Sequence, residues 1–156
     1  MIKLEKLNAS DISVLRSITV HDDQVKFVGT AKEFLADKNE ATHLHVIKHD
    51  DKMVGCFKID IAYADDYDFC TKGSIGLRAF LIDAKQQGRG LGTSAVKALF
   101  PYLKENYANY PRIYLTVNCK NPAAYTCYQK AGFYETGEHF LGGAAGPQHI
   151  MYWDIQ

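Results

Sequence analysis

Seven segments of the chain carry the hydrophobic pattern of β-strands. In some of them apolar and polar residues alternate, which is typical of a half-buried strand, and in others a short apolar run indicates a fully buried one. The predicted strands span residues 2–7, 44–48, 53–61, 75–82, 113–117, 133–140 and 149–155. Only the segment from His49 to Lys52 separates the second strand from the third, so the pattern predicts a β-hairpin there.

Apolar residues three and four positions apart predict helices between these strands. One such stripe comprises Leu91, Ala95, Val96, Leu99, Leu103 and Tyr107. Because proline has no backbone N–H to donate, Pro101 is expected to bend this helix or restart it near Phe100. A later helix is predicted from Asn121, which suits an N-cap, to Gly132, which suits the position just past a helix end.

The N-terminal part predicts further short helices. Ser10 or Asp11 is expected to cap a helix running to about Val20, and residues 22–37 are expected to form two short helices. Strands and helices therefore mix along the chain, which predicts an α/β fold with a central mixed sheet. With 156 residues, 47% of them hydrophobic, the chain is expected to form one domain spanning residues 1–156.

Composition narrows the classes of function. Lys plus Arg and Asp plus Glu both number 18, so no net field attracts nucleic acid or an anionic membrane, and neither is an expected partner. No window approaches about 18 uncharged apolar residues, and the N-terminus lacks the apolar centre of a signal peptide. A cytoplasmic protein is expected, and the sequence leaves open whether it forms a homodimer.

The four cysteines are not spaced like metal ligands. Cys56, Cys70, Cys119 and Cys127 form no Cys-x-x-Cys pair, and no histidine pair flanks them at metal-ligand spacing. Reduced thiols are therefore expected, and no metal.

A glycine-rich turn, Gln87 to Gly92, follows the apolar run Phe80-Leu81-Ile82 and precedes a helix. Glycines there leave backbone N–H groups free of side chains, which suits a phosphate. A nucleoside triphosphate loop is excluded, since Thr93 follows Gly92 with no lysine between. A dinucleotide site is excluded because the next strand ends Leu115 to Asn118 with no carboxylate.

The spacing of Gln87, Gly90 and Gly92 satisfies the remaining pattern, Gln/Arg-x-x-Gly-x-Gly/Ala, in which a helix N-terminus holds the pyrophosphate of coenzyme A. A glycine turn that caps a helix without any ligand is the alternative interpretation.

A second motif lies about 30 residues further on. The pattern Asn-x-x-Ala-x-x-Leu-Tyr-x-Lys-x-Gly-Phe is matched at Asn121, Ala124, Tyr128, Lys130, Gly132 and Phe133, with Cys127 in place of the leucine. With both motifs in order, the chain resembles the Gcn5-related N-acetyltransferase (GNAT) superfamily over residues 2–155. The resemblance implies a mostly antiparallel central sheet flanked by helices, with strands that splay at a coenzyme site.

The same resemblance implies an N-acetyltransferase that uses acetyl-CoA and needs no metal. It places the pantetheine arm along Phe80-Leu81-Ile82 and makes Tyr128 the general acid. The implied coenzyme-binding residues are Phe80, Leu81, Ile82, Gln87, Gly88, Arg89, Gly90, Leu91, Gly92, Thr93, Asn121 and Lys130. Packing, capping or solvent exposure is the alternative role for each. Asp60, Asp83, Glu138 and His139 are candidates for a general base, and a water chain without a single base is the alternative.

The expected acceptor is a small primary amine. The leader His21-x-x-Gln24-Val-x-Phe27-Val28 and the segment from Arg78 to Gly88 resemble bacterial diamine and spermidine/spermine acetyltransferases. An acidic hairpin tip is predicted from Asp60, Asp65, Asp66 and Asp68, with Tyr63 and Tyr67 interleaved. Asp60, Asp65 and Asp66 are expected to bind a polycationic acceptor, with a solvated loop as the alternative. A protein N-terminus or lysine as acceptor, and a coenzyme-binding module without catalysis, are the other functions to be considered.

Overall fold

The computed structural model describes residues 1–18, 31–37 and 39–156, and seven strands of these residues form one mixed sheet. The strands are β1 (Ile2–Lys6), β2 (Thr42–His49), β3 (Lys52–Asp60), β4 (Ile75–Ile82), β5 (Arg112–Asn118), β6 (Tyr134–Phe140) and β7 (Gln148–Asp154). They lie in the order β1-β2-β3-β4-β5-β7-β6, and every neighbouring pair is antiparallel except β4 and β5. The predicted fold class is confirmed.

Each predicted strand is present, with ends within two residues of those expected. The predicted hairpin joins β2 to β3 through Asp50 and Asp51, whose φ angles are 50° and 67°. Both angles lie in the left-handed region that two-residue hairpin turns require, and aspartate tolerates this region better than most residues.

The helices are α1 (Ile12–Leu15), α2 (Ala31–Ala36), α3 (Tyr63–Asp66), α4 (Leu91–Asn106) and α5 (Pro122–Ala131). Helix α4 continues through Pro101, so the predicted restart near Phe100 is wrong. Pro101 and Lys97 are both exposed, and water can therefore satisfy the Lys97 carbonyl that has no N–H partner. None of the helices described is long and apolar enough to cross a membrane.

Three predictions fall wholly or partly outside the described residues. The helix expected to reach Val20 is described as α1, which ends at Leu15. Of the two short helices expected in residues 22–37, α2 is described. The first of them, and the leader spanning residues 21–28, lie in the segment 19–30 that the structure does not describe.

Helices cover both faces of the sheet. Alternate strand residues point to opposite faces, so the sheet contributes side chains to a buried cluster on each side. Helices α4 and α5 pack on one face, where Leu99 belongs to the same buried cluster as Phe57. Helices α1 and α2 supply Leu15 and Phe34 to a second cluster, which includes Cys56. Strands β4 and β5 are the fourth and fifth of the seven strands in the sheet, so they lie near its middle.

Strands β4 and β5 separate soon after they pair. Their parallel pairing consists of Ile75 with Ile113 and Gly76 with Tyr114, although β4 continues to Ile82. At Gly76 a Cβ atom would lie 2.2 Å from the Tyr63 ring, so only glycine fits where the two strands part. The predicted splay is confirmed, and it leaves backbone groups of β4 unpaired by β5.

A fully buried histidine, His45 on β2, is held in its neutral form. Its Nδ1 lies 2.9 Å from the His43 carbonyl oxygen, and its Nε2 lies 2.7 Å from the Tyr102 hydroxyl. A neutral imidazole can donate to the carbonyl and accept from the hydroxyl, whereas an imidazolium would have no acceptor nitrogen. Burial lowers the pKa of His45 to about 4.

Acid should therefore destabilise the protein at a pH where carboxylates are still ionised. Unfolded histidine titrates near pH 6.5, so between about pH 6.5 and 4 the unfolded chain binds a proton that folded His45 does not. The free energy of unfolding should fall by about 2–3 kcal/mol between pH 7 and 4.5, measured by urea unfolding. A His45→Gln variant should lose much less over this interval, and an equal loss would contradict the assignment.

Candidate active site

A cavity of about 290 Å³ opens where β4 leaves β5. It is bounded by the end of β4, the turn that follows, the first residues of α4 and one face of α5. Its lining residues are Phe80, Leu81, Ile82, Gln86, Gln87, Gly88, Gly90, Leu91, Gly92, Thr93, Asn121, Ala123, Ala124, Cys127 and Tyr128. The structure thus brings both sequence motifs to one cavity, although about 30 residues separate them.

The turn before α4 adopts a conformation that presents backbone to this cavity. Gly88 and Gly90 have φ angles of 84° and 74°, and a Cβ atom at either position would meet nothing within 4 Å. Gly90 is the N-cap of α4, a helix of 16 residues, so the unpaired N–H groups of the first turn and the helix dipole favour an anion there. The side-chain amide of Gln87 donates to the Ile82 carbonyl at 2.9 Å and thereby ties the turn to β4.

All the predicted coenzyme-binding residues except Arg89 and Lys130 line the cavity. Arg89 is exposed and donates to Gln86 at 2.5 Å, and Lys130 is exposed on α5. Gln86, Ala123 and Cys127 also line the cavity, although they were not predicted to do so from the sequence. Cys127 belongs to the apolar stripe of α5, a periodicity that indicates packing and gives no sign of a cavity.

The start of α5 is built as its motif predicts. Asn121 accepts from the Ala124 N–H at 3.4 Å as the N-cap, Pro122 occupies the first turn, and Gly132, with φ 128°, ends the helix. This geometry directs Tyr128 towards β4, where its ring centroid lies 5.9 Å from that of Phe80 and 5.8 Å from that of Phe133.

Tyr128 combines burial with an available hydroxyl. The residue is only 8% exposed, and no hydrogen bond joins its hydroxyl to the part of the chain that the structure describes. Burial and, to a smaller extent, the neighbouring Cys127 raise the pKa of Tyr128 above the usual value near 10. The hydroxyl is therefore protonated at neutral pH and can donate to a group placed in the cavity.

A second and larger cavity, of about 850 Å³, adjoins the first. The described residues that line it are Glu33, Ala36, Asp37, Lys58, Tyr63, Tyr67, Leu77, Arg78, Ala79, Phe80, Thr116, Val117, Asn118, Asn121, Ala124, Tyr128, Ala145 and Gln148. Phe80, Asn121, Ala124 and Tyr128 line both cavities. The two spaces therefore meet beside Tyr128.

A β-bulge at Ala79 and Phe80 changes the direction of β4. Cys56 pairs with Leu81 and Lys58 with Arg78, so Phe57 alone faces both Ala79 and Phe80. Ala79 has φ 51°, a left-handed conformation that few alanines adopt. The extra residue bends β4 at the level where the cavities meet, and Phe80 borders both of them.

Charged side chains of both signs line the second cavity. The Asp37 carboxylate lies 2.9 Å from Lys58 Nζ and 3.1 Å from a guanidinium nitrogen of Arg78. Burial opposes ionisation of Asp37, but the hydrogen bond and charge of Lys58, with the charge of Arg78, outweigh it and lower the pKa of Asp37. Glu33 on α2 lines the same cavity. None of these roles was predicted from the sequence, because the residues come from separate elements.

The three predicted acceptor residues lie in different environments. Asp60 is buried, accepts from the Ala62 N–H at 2.9 Å and lies 3.4 Å from Arg78. Asp65 and Asp66 are exposed in α3 and do not line the second cavity, although Tyr63 and Tyr67 on either side of them do. The predicted acidic tip is thus a short helix whose tyrosines turn inwards.

None of the four candidate bases lines either cavity. Asp83 accepts from the Lys85 N–H at 3.2 Å and caps the turn after β4, while Glu138 and His139 are exposed on β6. Among the described residues, the carboxylates that line the second cavity belong to Glu33 and Asp37.

The site is thus a cleft between splayed strands, with a glycine turn at a helix N-terminus. Residues 12–133 match the acetyltransferase (GNAT) family. The chain belongs to this family. It is an N-acetyltransferase that uses acetyl-CoA as co-substrate.

Similar proteins act on polyamines and aminoglycosides. The spermine/spermidine N(1)-acetyltransferase of Bacillus subtilis (strain 168) is 29% identical over 145 residues, which cover 91% of this chain and 93% of the relative. The aminoglycoside acetyltransferase AAC(6')-Ib, crystallised with coenzyme A and kanamycin, superposes with a TM-score of 0.79 at 22% identity, covering 99% of this chain and 95% of the other. The spermidine N-acetyltransferase of Vibrio cholerae, in complex with CoA and spermine, gives a TM-score of 0.73 at 20% identity, with coverage of 99% and 95%. At these identities the two solved structures establish the fold.

Proposed function

We propose that residues 1–156 form one acetyltransferase domain that acetylates a primary amine of a small polyamine. The observation that carries this proposal is the meeting of two cavities beside Tyr128, one suited to the coenzyme and one open to an acceptor. The curated relative of similar length, named for spermine and spermidine, supports the class of acceptor.

The first cavity fits acetyl-CoA in its backbone chemistry. The N–H groups at the start of α4, bared by Gly88 and Gly90, suit the pyrophosphate. The edge of β4 from Phe80 to Ile82 that β5 leaves uncovered suits the amide groups of the pantetheine arm, although the Ile82 carbonyl already accepts from Gln87. A β4 N–H near the bulge can polarise the thioester carbonyl, as an oxyanion donor does.

Acetyl-CoA supplies an activated acetyl group as a thioester. The amine nitrogen bonds to the carbonyl carbon, the carbon–sulfur bond breaks, and the sulfur leaves with the bonding electron pair. Tyr128, protonated and at the junction of the cavities, donates its proton to that sulfur. The amine enters as the neutral form and loses one proton to water in the second cavity. Water then returns a proton to Tyr128, and the products are an amide and free CoA.

Two features of the second cavity bear on the acceptor. Glu33 and Asp37 provide carboxylates for ammonium groups that do not react, and Tyr63 and Tyr67 offer aromatic surface. Lys58 and Arg78 offer positive charge in the same space, which would suit an acceptor that also carries a carboxylate. Acetylation of a peptide N-terminus or lysine beside an acidic residue is therefore the second candidate.

A panel of amines separates these functions. Release of free thiol from acetyl-CoA would be measured with spermine, spermidine, a short diamine, kanamycin, a lysine peptide and a peptide with a free N-terminus. The polyamine proposal predicts the highest kcat/KM for spermine, spermidine or the diamine. If a peptide gives the highest value, the second candidate replaces it, and if acetyl-CoA binds without turnover on any amine, the chain is a binding module.

The exposed acidic pair on α3 should attract a polycation from a distance. The double variant Asp65→Asn with Asp66→Asn is expected to raise the KM of spermidine about two- to tenfold at low salt, because each carboxylate contributes a few tenths of a kcal/mol at such range. The KM of acetyl-CoA should not change. The measurement is initial rate against spermidine concentration at low salt and at about 1 M salt, where screening should abolish the difference.

A matched control removes the same net charge elsewhere. Asp51→Asn with Glu105→Gln alters two exposed acids, one in the β2–β3 turn and one on α4. An equal rise of the spermidine KM in both double variants would mean that net charge alone matters. Asp65 and Asp66 would then have no specific role in binding the acceptor.

A further inference from the structure

Three potential metal ligands that are far apart in sequence lie together at one edge of the sheet. Cys119, His139 and His149 each offer one ligand atom, and these atoms all lie within 4.8 Å of one another. The cysteine and His139 are exposed, and His149 is half-buried. The sequence places no histidine pair at metal-ligand spacing from any cysteine, but in the folded protein two histidines lie beside Cys119.

Strand register explains why these side chains share one face. His139 on β6 pairs directly with His149 on β7, and their ring centroids lie 5.1 Å apart. On the other side of β7, Val117 pairs with His149, and Cys119 follows two residues later. Directly paired residues project to the same side of a sheet, and so do residues two apart. Three neighbouring strands therefore present the thiol and the two imidazoles as one row.

A carboxylate already orients one of the imidazoles. His149 Nδ1 lies 3.1 Å from Glu135 Oε1, and since an ionised carboxylate only accepts, this nitrogen carries the proton. The other ring nitrogen of His149 keeps its lone pair. Glu135 also accepts a hydrogen bond from the Tyr125 hydroxyl, which holds the carboxylate in place beside His149.

A metal-binding histidine commonly has its second nitrogen bonded to a carboxylate, because that bond fixes both the tautomer and the ring orientation. The Tyr125 ring adds a further constraint, with its centroid 4.4 Å from that of His149. The row thus has the supporting contacts of a metal site as well as its ligands.

We propose that Cys119, His139 and His149 bind a zinc ion. One thiolate and two imidazoles are borderline-soft donors of the kind that zinc prefers over magnesium or calcium. Zinc bonds of about 2.0–2.3 Å place tetrahedral ligand atoms about 3.3–3.7 Å apart, so side-chain movements of about 1 Å close the site. A water molecule would complete four-fold coordination.

This site lies beside the proposed acceptor space and takes no part in acetyl transfer. Asn118 and Gln148, the residues that precede Cys119 and His149, line the second cavity. The Cys119 N–H donates to the Pro147 carbonyl at 3.0 Å, and the Asn118 amide donates to Ala145 at 3.0 Å. A bound ion would therefore join the end of β5 to β6 and β7, the two strands that the 142–147 turn connects.

Cobalt(II) is the probe for the test, because a bond between cobalt and a thiolate gives a charge-transfer absorption band. Metal-free protein, kept reduced, would be titrated with Co²⁺ and then with Zn²⁺. The expected results are one equivalent of Co²⁺ bound with the thiolate band, and loss of the band as zinc displaces cobalt. Zinc should also raise the thermal midpoint of the wild-type protein, because the ligands come together only in the folded state.

The variants locate the ligands. Cys119→Ser should abolish the band, and Glu135→Gln, which keeps all three ligands, should weaken metal binding about 10- to 100-fold. Cys70→Ser is the matched control, since it removes a different free thiol and should leave the band unchanged. The proposal is overturned if wild-type protein gives no thiolate band, or if the band survives in Cys119→Ser.

Discussion

Replacing Tyr128 by phenylalanine is expected to lower kcat by about 100-fold or more while the affinity for acetyl-CoA stays nearly constant. The variant removes one oxygen from a side chain that borders both cavities and has no hydrogen bond to the described residues. A positioned proton donor commonly contributes about 10²–10⁴-fold to a rate, and its loss acts on the transition state rather than on coenzyme binding. Initial rates give kcat, and calorimetric titration gives the coenzyme Kd.

Tyr107→Phe is the matched control for this experiment. Tyr107 is also buried, burial raises its pKa as well, and it follows the end of α4 away from both cavities. Loss of its hydroxyl breaks the contact with His43 and should cost stability but not kcat. If Tyr128→Phe keeps the wild-type kcat, the residue is only a packing contact between Phe80 and Phe133.

Replacing Gly90 by valine is expected to weaken acetyl-CoA binding at least about tenfold, or about 1.4 kcal/mol. Gly90 has φ 74°, and a β-branched residue adopts that conformation only at a cost of about 1–2 kcal/mol. Relief of this strain would turn the N–H groups at the start of α4 away from the pyrophosphate. The measurement is the Kd of acetyl-CoA by calorimetry, with the folded state checked by circular dichroism.

Gly73→Val introduces the same kind of strain at a distance from the coenzyme. Gly73 has φ 79°, and its nearest neighbour for an added Cβ is Pro111 at 4.0 Å. This variant should lose stability and retain coenzyme affinity. If folded Gly90→Val protein binds acetyl-CoA with wild-type affinity, the pyrophosphate does not bind at this turn.

Local signals in the sequence were enough to predict the elements that build the first cavity. The strand at 75–82, the glycine turn and the helix from Asn121 each depend on residues close together in the chain. Capping, left-handed glycine and hydrophobic period act over a few residues, so a single sequence reveals them. Pro101 is an exception, because exposure to water at that point of α4 is a property of the fold.

The second cavity could not be predicted in the same way. Asp37 follows α2, Lys58 lies on β3 and Arg78 on β4, and no short motif links them. Their ion pairs form because β3 and β4 are neighbours in the sheet and α2 packs against the same face. The acidic residues of α3 are close together in the sequence and therefore form a visible acidic run. Glu33 and Asp37, whose carboxylates line the second cavity, belong to no such run.

The sequence by itself determined the family, the α/β fold class and the segment proposed to hold the coenzyme, because those depend on short-range patterns with a fixed spacing. Only the tertiary structure decided where β4 leaves β5, which charges line the second cavity, and that Cys119 lies beside His139 and His149. These depend on strand order and register, which join residues tens of positions apart. A shift of one residue in register would turn His149 to the opposite face of the sheet and take the row apart.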